Sequence, residues 1–133
     1  MPIDSPVVKA FEAAGVPVWG EVELAYAFDK GKVLAITGTN GKTTTTALVG
    51  QIVGAYHKDT FVVGNIGNPY TTEVLKSNKD SYTVAEISSF QLETVHEFHP
   101  LVSAILNITP DHLNRHYTMD CYVPVSYTHL RAH

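Results

Sequence analysis

The sequence has a single cysteine, Cys121, in 133 residues, which excludes a disulfide within the chain. It has 9 Lys and Arg against 13 Asp and Glu, and a net charge of −4 argues against broad nucleic-acid binding, which depends on clustered cations. Long apolar runs are absent: residues 33–36 are typical of the stretches present, far short of the roughly 20 residues of a bilayer-spanning helix. The N-terminus lacks the pattern of a secretory signal. These absences predict a cytoplasmic protein without a membrane partner.

The composition, with 44% apolar and 17% charged residues, is that of a globular protein. From Gly31 onwards, strand-length apolar runs alternate with helical stretches. Strands are predicted at residues 32–37, 61–63, 82–87 and 102–107, and helices at residues 5–14, 22–28, 43–53 and 70–75. A further helix face is predicted around His96, near two glutamates. The alternation predicts an α/β fold with an open, mainly parallel sheet, present here in part.

The strongest motif is Thr37-Gly38-Thr39-Asn40-Gly41-Lys42-Thr43-Thr44, which lies between a predicted strand and a predicted helix. Glycines at 38 and 41 allow a backbone whose N–H groups surround an anion at a helix N-terminus. Lys42 adds a charge for the β- and γ-phosphates, and the Thr43 hydroxyl can bind magnesium. The motif predicts binding of a nucleotide's phosphates by residues Gly38, Thr39, Asn40, Gly41, Lys42, Thr43 and Thr44.

This motif departs from the strict phosphate-loop pattern GxxxxGK[ST], which requires a glycine where this chain has Ile36. Gly38 must therefore replace that glycine. The alternative interpretation is a solvated turn with an exposed lysine. The run of threonines at 43–46 is a poor helix start, at about 0.5 kcal/mol per residue relative to Ala. Such a conflict is typical of a functional site, but hydroxyls that cap a first turn are a structural alternative.

Three polar residues follow other predicted strands, at the edge of the sheet where ligands bind in open α/β folds. Glu86 is placed as an acidic magnesium ligand opposite the loop, Asn65 lies in a glycine-flanked turn, and His112 follows the strand at 102–107. Each has a structural alternative: a solvated carboxylate, a turn former, and a helix-start residue capped by Asp111. Together they predict a nucleotide and metal site.

Three ordered strings, TGTNGKTTTT, EISSFQLE and ILNITPDHLNRH, resemble the Mur ligase family, and the similarity covers residues 2–123. EISSFQLE, at residues 86–93, makes the chain most similar to the branch that adds D-glutamate to UDP-N-acetylmuramoyl-L-alanine. The resemblance implies an ATP- and magnesium-dependent, monomeric ligase of peptidoglycan synthesis. In that family ATP phosphorylates the substrate carboxylate, and the amine then attacks the acyl phosphate. The resemblance further implies catalytic roles for Lys42 and His112, magnesium ligation by Thr43, Glu86 and His112, and substrate contacts from Asn65 and Ser88.

The resemblance also implies how the chain divides. Residues 1–30 are expected to be the trailing edge of a UDP-binding domain with its linker, and residues 31–123 the N-terminal part of the central ATP-binding domain. Residues 124–133 are expected to be a foreign tail, because the family-like sequence stops abruptly there. Within this tail, Ser126 stands near the position where the family has a metal-bridging carbamylated lysine. Such a truncated piece is expected to be inactive alone. The alternatives are a nucleotide-binding module that never catalysed ligation, or a sister ligase, including folylpolyglutamate synthase.

Overall fold

A computed structural model of the chain describes residues 2–64 and 67–110. Its helices are α1 (Pro6–Ala13), α2 (Glu21–Phe28), α3 (Lys42–Tyr56), α4 (Tyr70–Glu73), which continues as a 3-10 turn over Val74–Lys76, and α5 (Ser89–Leu92). Its strands are β1 (Lys32–Thr37), β2 (Thr60–Gly64), β3 (Tyr82–Glu86) and β4 (Val102–Ile105). The four predicted strands are confirmed to within two residues, whereas α5 was not predicted. Within the described ranges, none of the helices combines the length and apolar character needed to cross a membrane.

The four strands form one parallel sheet in the order β2-β3-β1-β4, which confirms the α/β fold. The strand register places Gly64, Glu86 and Ile36 side by side, so β2, β3 and β1 end at nearly the same level. Because the strands are parallel, the segments that follow them share one edge of the sheet. The loop after β1 lies at the middle of that edge, with β3 on one side and β4 on the other.

Both faces of the sheet are covered by helices. Helix α3 lies so close to one face that a side chain at Gly50 would place its Cβ 2.3 Å from Val62 Cγ2. The next residue, Val63, points to the opposite face, where α2, α4 and α5 enclose the main core. This core is formed by the buried residues Val22, Ala25, Val33, Ala35, Val63, Tyr70, Val74, Ala85, Ile87, Leu92 and Phe98.

A buried carboxylate fixes the segment that follows α5. Glu23, in α2, is 2% exposed and accepts hydrogen bonds from the backbone N–H groups of His96, Glu97 and Phe98 at 2.9, 2.7 and 3.2 Å. Burying a carboxylate is costly unless such donors compensate it. The helix face predicted around His96 is wrong, because α5 ends at Leu92 and the following N–H groups turn toward this carboxylate.

Candidate nucleotide and metal site

The loop between β1 and α3 depends on two glycines. Gly38 has a φ angle of 145° and Gly41 one of 83°, both in the region that side chains disfavour. A Cβ at Gly38 would also lie 3.2 Å from both the backbone N and O of Asn107. Gly41 is the N-cap residue of α3, so its left-handed conformation turns the chain directly into the helix. The glycines therefore let the loop backbone approach the backbone of Asn107 closely just before α3.

The free backbone donors of the loop lie in the first turn of α3. Within the part of the chain that the structure describes, the N–H groups of Gly41, Lys42, Thr43 and Thr44 donate to no acceptor, as expected where a helix begins. The N–H groups of Thr39 and Asn40, by contrast, already donate to Asn107 Oδ1 at 3.0 and 2.9 Å. The first turn of α3 thus offers several donors to an anion at the positive end of the helix dipole.

The Lys42 side chain folds back across the loop. Its ammonium group donates to the carbonyl oxygens of Gly38 at 2.8 Å and Thr39 at 3.2 Å. A lysine is a flexible point charge with three rotatable donors, so it can exchange carbonyl oxygens for phosphate oxygens without moving the backbone. These contacts hold the ammonium group against the loop that precedes α3.

Thr43 and Glu86 meet across the gap between α3 and β3. The Thr43 hydroxyl lies 3.1 Å from each carboxylate oxygen of Glu86, which is only 2% exposed. Neighbouring ligands of an octahedral magnesium ion, each about 2.0–2.1 Å from it, lie about 2.9 Å apart, so this spacing fits. Magnesium prefers oxygen ligands and commonly takes the others from phosphates and water. The residues present therefore suit magnesium, although the described residues include no group of three or more His, Cys, Asp or Glu able to hold a metal.

Two hydroxyls that the sequence left open have structural partners. Thr46, from the threonine run, is fully buried and donates to the Lys42 carbonyl oxygen at 2.7 Å. The run therefore contributes to packing through Thr46 and to the candidate site through Thr43. Ser88 caps α5: its hydroxyl accepts from the Gln91 N–H, and its own N–H donates to Gln91 Oε1. Ser88 still lies at the ligand edge, two residues after Glu86.

The remaining predicted positions lie outside the described residues. These are Asn65, His112 and the tail at 124–133. An open cleft of about 540 Å³ is lined by Glu21, Gly64, Gly67, Pro69, Thr71 and Gln91. This cleft adjoins the end of β2 and offers polar groups on the same edge as the loop.

Residues 36–126, more than half of the chain, match the Mur ligase middle domain. The chain belongs to the Mur ligase family. The resemblance of its three strings is thereby confirmed. As a Mur ligase chain, it is 80% identical over 122 residues to a UDP-N-acetylmuramoylalanine--D-glutamate ligase of Lachnospira eligens. It is 63% identical over 123 residues to the protein of that name in Lachnoclostridium phytofermentans, and 52% over 124 residues to that of Clostridioides difficile.

These alignments cover 92% of the chain but only 27% or 28% of each relative. The chain therefore spans little more than a quarter of the length of the curated relatives it matches.

Sequence reasoning missed one residue of this Mur ligase site, Asn107. Its side-chain amide accepts from the N–H groups of Thr39 and Asn40 and donates to the Asn40 carbonyl oxygen at 2.8 Å. The signal was present, because Asn107 follows β4 as Glu86 ends β3. What the sequence did not show was that β4 lies next to β1, which brings Asn107 against the loop.

Proposed function

We propose that the chain carries the nucleotide- and magnesium-binding part of a cytoplasmic, ATP-dependent ligase that joins D-glutamate to UDP-N-acetylmuramoyl-L-alanine. The observation that carries this proposal is the contact of the Thr43 hydroxyl, in the first turn of α3, with both oxygens of the buried Glu86 carboxylate. The names of the relatives support the two substrates.

In the proposed reaction, a carboxylate oxygen of the sugar-linked alanine bonds to the γ-phosphorus of ATP as the bond to ADP breaks. The amine of D-glutamate then attacks the carbon of the acyl phosphate, loses a proton, and displaces inorganic phosphate as the amide forms. The first step brings an anionic oxygen toward an anionic phosphoryl group. Its rate therefore depends on positive groups placed around the transferred phosphoryl.

The described residues supply several such groups. The N–H groups of residues 41–44 hold phosphate oxygens, and the Lys42 ammonium exchanges the two loop carbonyls for oxygens of the β- and γ-phosphates. Thr43 and Glu86 would hold magnesium through their oxygens. When bound, the ion neutralises phosphate charge and fixes its orientation. The substrate contacts of Asn65 and Ser88, and the catalytic and magnesium-binding roles of His112, stay predictions.

The direct test is calorimetric titration of the chain and its Lys42→Ala variant with ATP and magnesium. Removing the ammonium group should weaken binding at least tenfold, or about 1.4 kcal/mol, because a charge-assisted contact to phosphate is lost. The matched control is Lys58→Ala, at an exposed lysine beyond the far end of α3, which should bind as the unaltered chain does. Equal affinities for Lys42→Ala and the unaltered chain would remove the phosphate-loop interpretation.

A further inference from the structure

We infer that Asn107 is the positioning residue of the nucleotide loop, holding the backbone before α3 so that the free N–H groups of the first turn stay aimed at phosphate. The consequence for nucleotide affinity rests on the proposed function. The holding itself does not, because it is a set of contacts within the chain.

A single planar amide makes three contacts with the loop. Asn107 Oδ1 accepts from Thr39 N at 3.0 Å and from Asn40 N at 2.9 Å, while its Nδ2 donates to the Asn40 carbonyl oxygen at 2.8 Å. An asparagine side chain has an acceptor with two lone pairs beside a donor, which matches this set. Aspartate would keep the acceptors and lose the donor, and alanine would lose both.

The main chain around Asn107 continues the contact. The N–H of Leu106 donates to the Thr37 carbonyl oxygen at 3.0 Å, and the N–H of Thr109 donates to the Thr39 hydroxyl at 3.0 Å. With Gly38 fitting tightly against Asn107, the segment after β4 follows the loop along its length. The loop thus takes its shape from the end of β4 before any nucleotide arrives.

This arrangement matters because the loop contains two glycines, which have more backbone freedom than any other residue. If a loop must become ordered as its ligand binds, the entropy lost then is subtracted from the affinity. Asn107 instead fixes Thr39 and Asn40, the residues between the two glycines, when the chain folds. Its removal should therefore weaken nucleotide binding without touching the nucleotide.

The first measurement is amide hydrogen exchange by NMR on the nucleotide-free chain. In Asn107→Ala, the amide of Asn40 should exchange at least tenfold faster, because its side-chain acceptor is gone. The amide of Thr39 should change less, because it also donates to the main-chain carbonyl oxygen of Asn107 at 3.2 Å, which alanine keeps. In Asn107→Asp both amides should stay protected, because the carboxylate keeps the acceptor oxygen. If the alanine variant fails to fold, the exchange rates of the aspartate variant test whether the side chain of residue 107 holds the loop. The matched control is Asn78→Ala, which loses a side-chain contact to Asp59 just before β3, at the opposite end of the sheet.

The second measurement is ATP titration of the same folded variants in magnesium. Asn107→Ala should bind about tenfold more weakly than the unaltered chain, whereas Asn78→Ala should bind equally well. Unchanged exchange at Asn40 in the alanine variant, or fast exchange at Asn40 in the aspartate variant, overturns the inference. Faster exchange with unchanged affinity overturns it too, since the loop would then need no positioning. If even the unaltered chain binds no ATP, the proposed function fails, and the exchange rates alone decide whether Asn107 holds the loop.

Discussion

Replacing Glu86 with glutamine tests the metal site without removing its shape. In the unaltered chain, the Thr43 hydroxyl lies 3.1 Å from both carboxylate oxygens of Glu86. The glutamine amide keeps one oxygen that can accept a hydrogen bond from this hydroxyl. It also removes a charge from a residue that is 2% exposed, where an ionised group is costly. In the absence of nucleotide and metal, we therefore expect the free energy of unfolding to change by no more than about 1 kcal/mol.

The effect should appear when the magnesium complex of ATP is added. At 100 times its dissociation constant, a ligand stabilises the folded chain by about 2.7 kcal/mol. For a chain of this size, that raises the melting temperature by roughly 11 °C, at about 4 °C per kcal/mol. A tenfold weaker complex at the same concentration contributes about 1.4 kcal/mol. The melting temperature of Glu86→Gln should then rise by no more than roughly 6 °C.

Thermal unfolding followed by circular dichroism measures these shifts. The matched control is Glu73→Gln, at a partly exposed carboxylate whose ion pair with Lys76, 3.2 Å long, is of the surface kind that contributes little. This control should shift as the unaltered chain does. With ATP and a chelator in place of magnesium, Glu86→Gln should shift at least as far as the unaltered chain. Equal shifts of Glu86→Gln and the unaltered chain in magnesium would refute the assignment of Glu86 as a metal ligand.

Three further predictions concern the scaffold, and chemical denaturation measures each. Gly54→Ala should stabilise α3 by about 0.5–1 kcal/mol, because the new Cβ would have no atom closer than 3.9 Å. Gly50→Ala should destabilise the chain, because its Cβ would lie 2.3 Å from a β2 valine, and the opposite order of stabilities would contradict the packing. Burial and the hydrogen bond to Asp29 raise the pKa of Tyr70, so stability should fall above pH 10, the unfolded value, by up to about 1.4 kcal/mol per unit. Tyr70→Phe should remove that part of the slope, and identical slopes would contradict it. Glu23→Gln should cost about 2 kcal/mol, because an amide N–H₂ would then face backbone donors, and an unchanged midpoint would contradict the buried cap.

The sequence predicted that Thr43 and Glu86 lie on the same edge of the sheet for a general reason. Strand-length apolar runs separated by helical stretches imply parallel strands, and parallel strands bring their carboxyl ends to one edge. Neither residue needs a known strand order to be placed there, because every strand of such a sheet ends on that edge. The prediction of a phosphate-binding loop rests on its glycines, lysine and threonine.

Features that depend on strand order or on burial were not predictable in this way. The role of Asn107 follows from β4 lying beside β1, a long-range pairing that periodicity does not encode. The burial of Glu23 follows from how the chain turns after α5, whereas a glutamate in a helical stretch usually faces solvent. Helix α5 could have been found, since Ser88 and Gln91 are spaced as a capping box. Its four residues are too few for a periodic pattern to stand out.

The most direct test of the account is a crystal structure of the chain with manganese and a non-hydrolysable ATP analogue, since manganese replaces magnesium and scatters anomalously. The account predicts an anomalous peak about 2.2 Å from Thr43 Oγ1 and from a Glu86 carboxylate oxygen, with phosphate oxygens on the N–H groups of residues 41–44. A metal and phosphates bound elsewhere, with the Thr43 to Glu86 contact left intact, would contradict it.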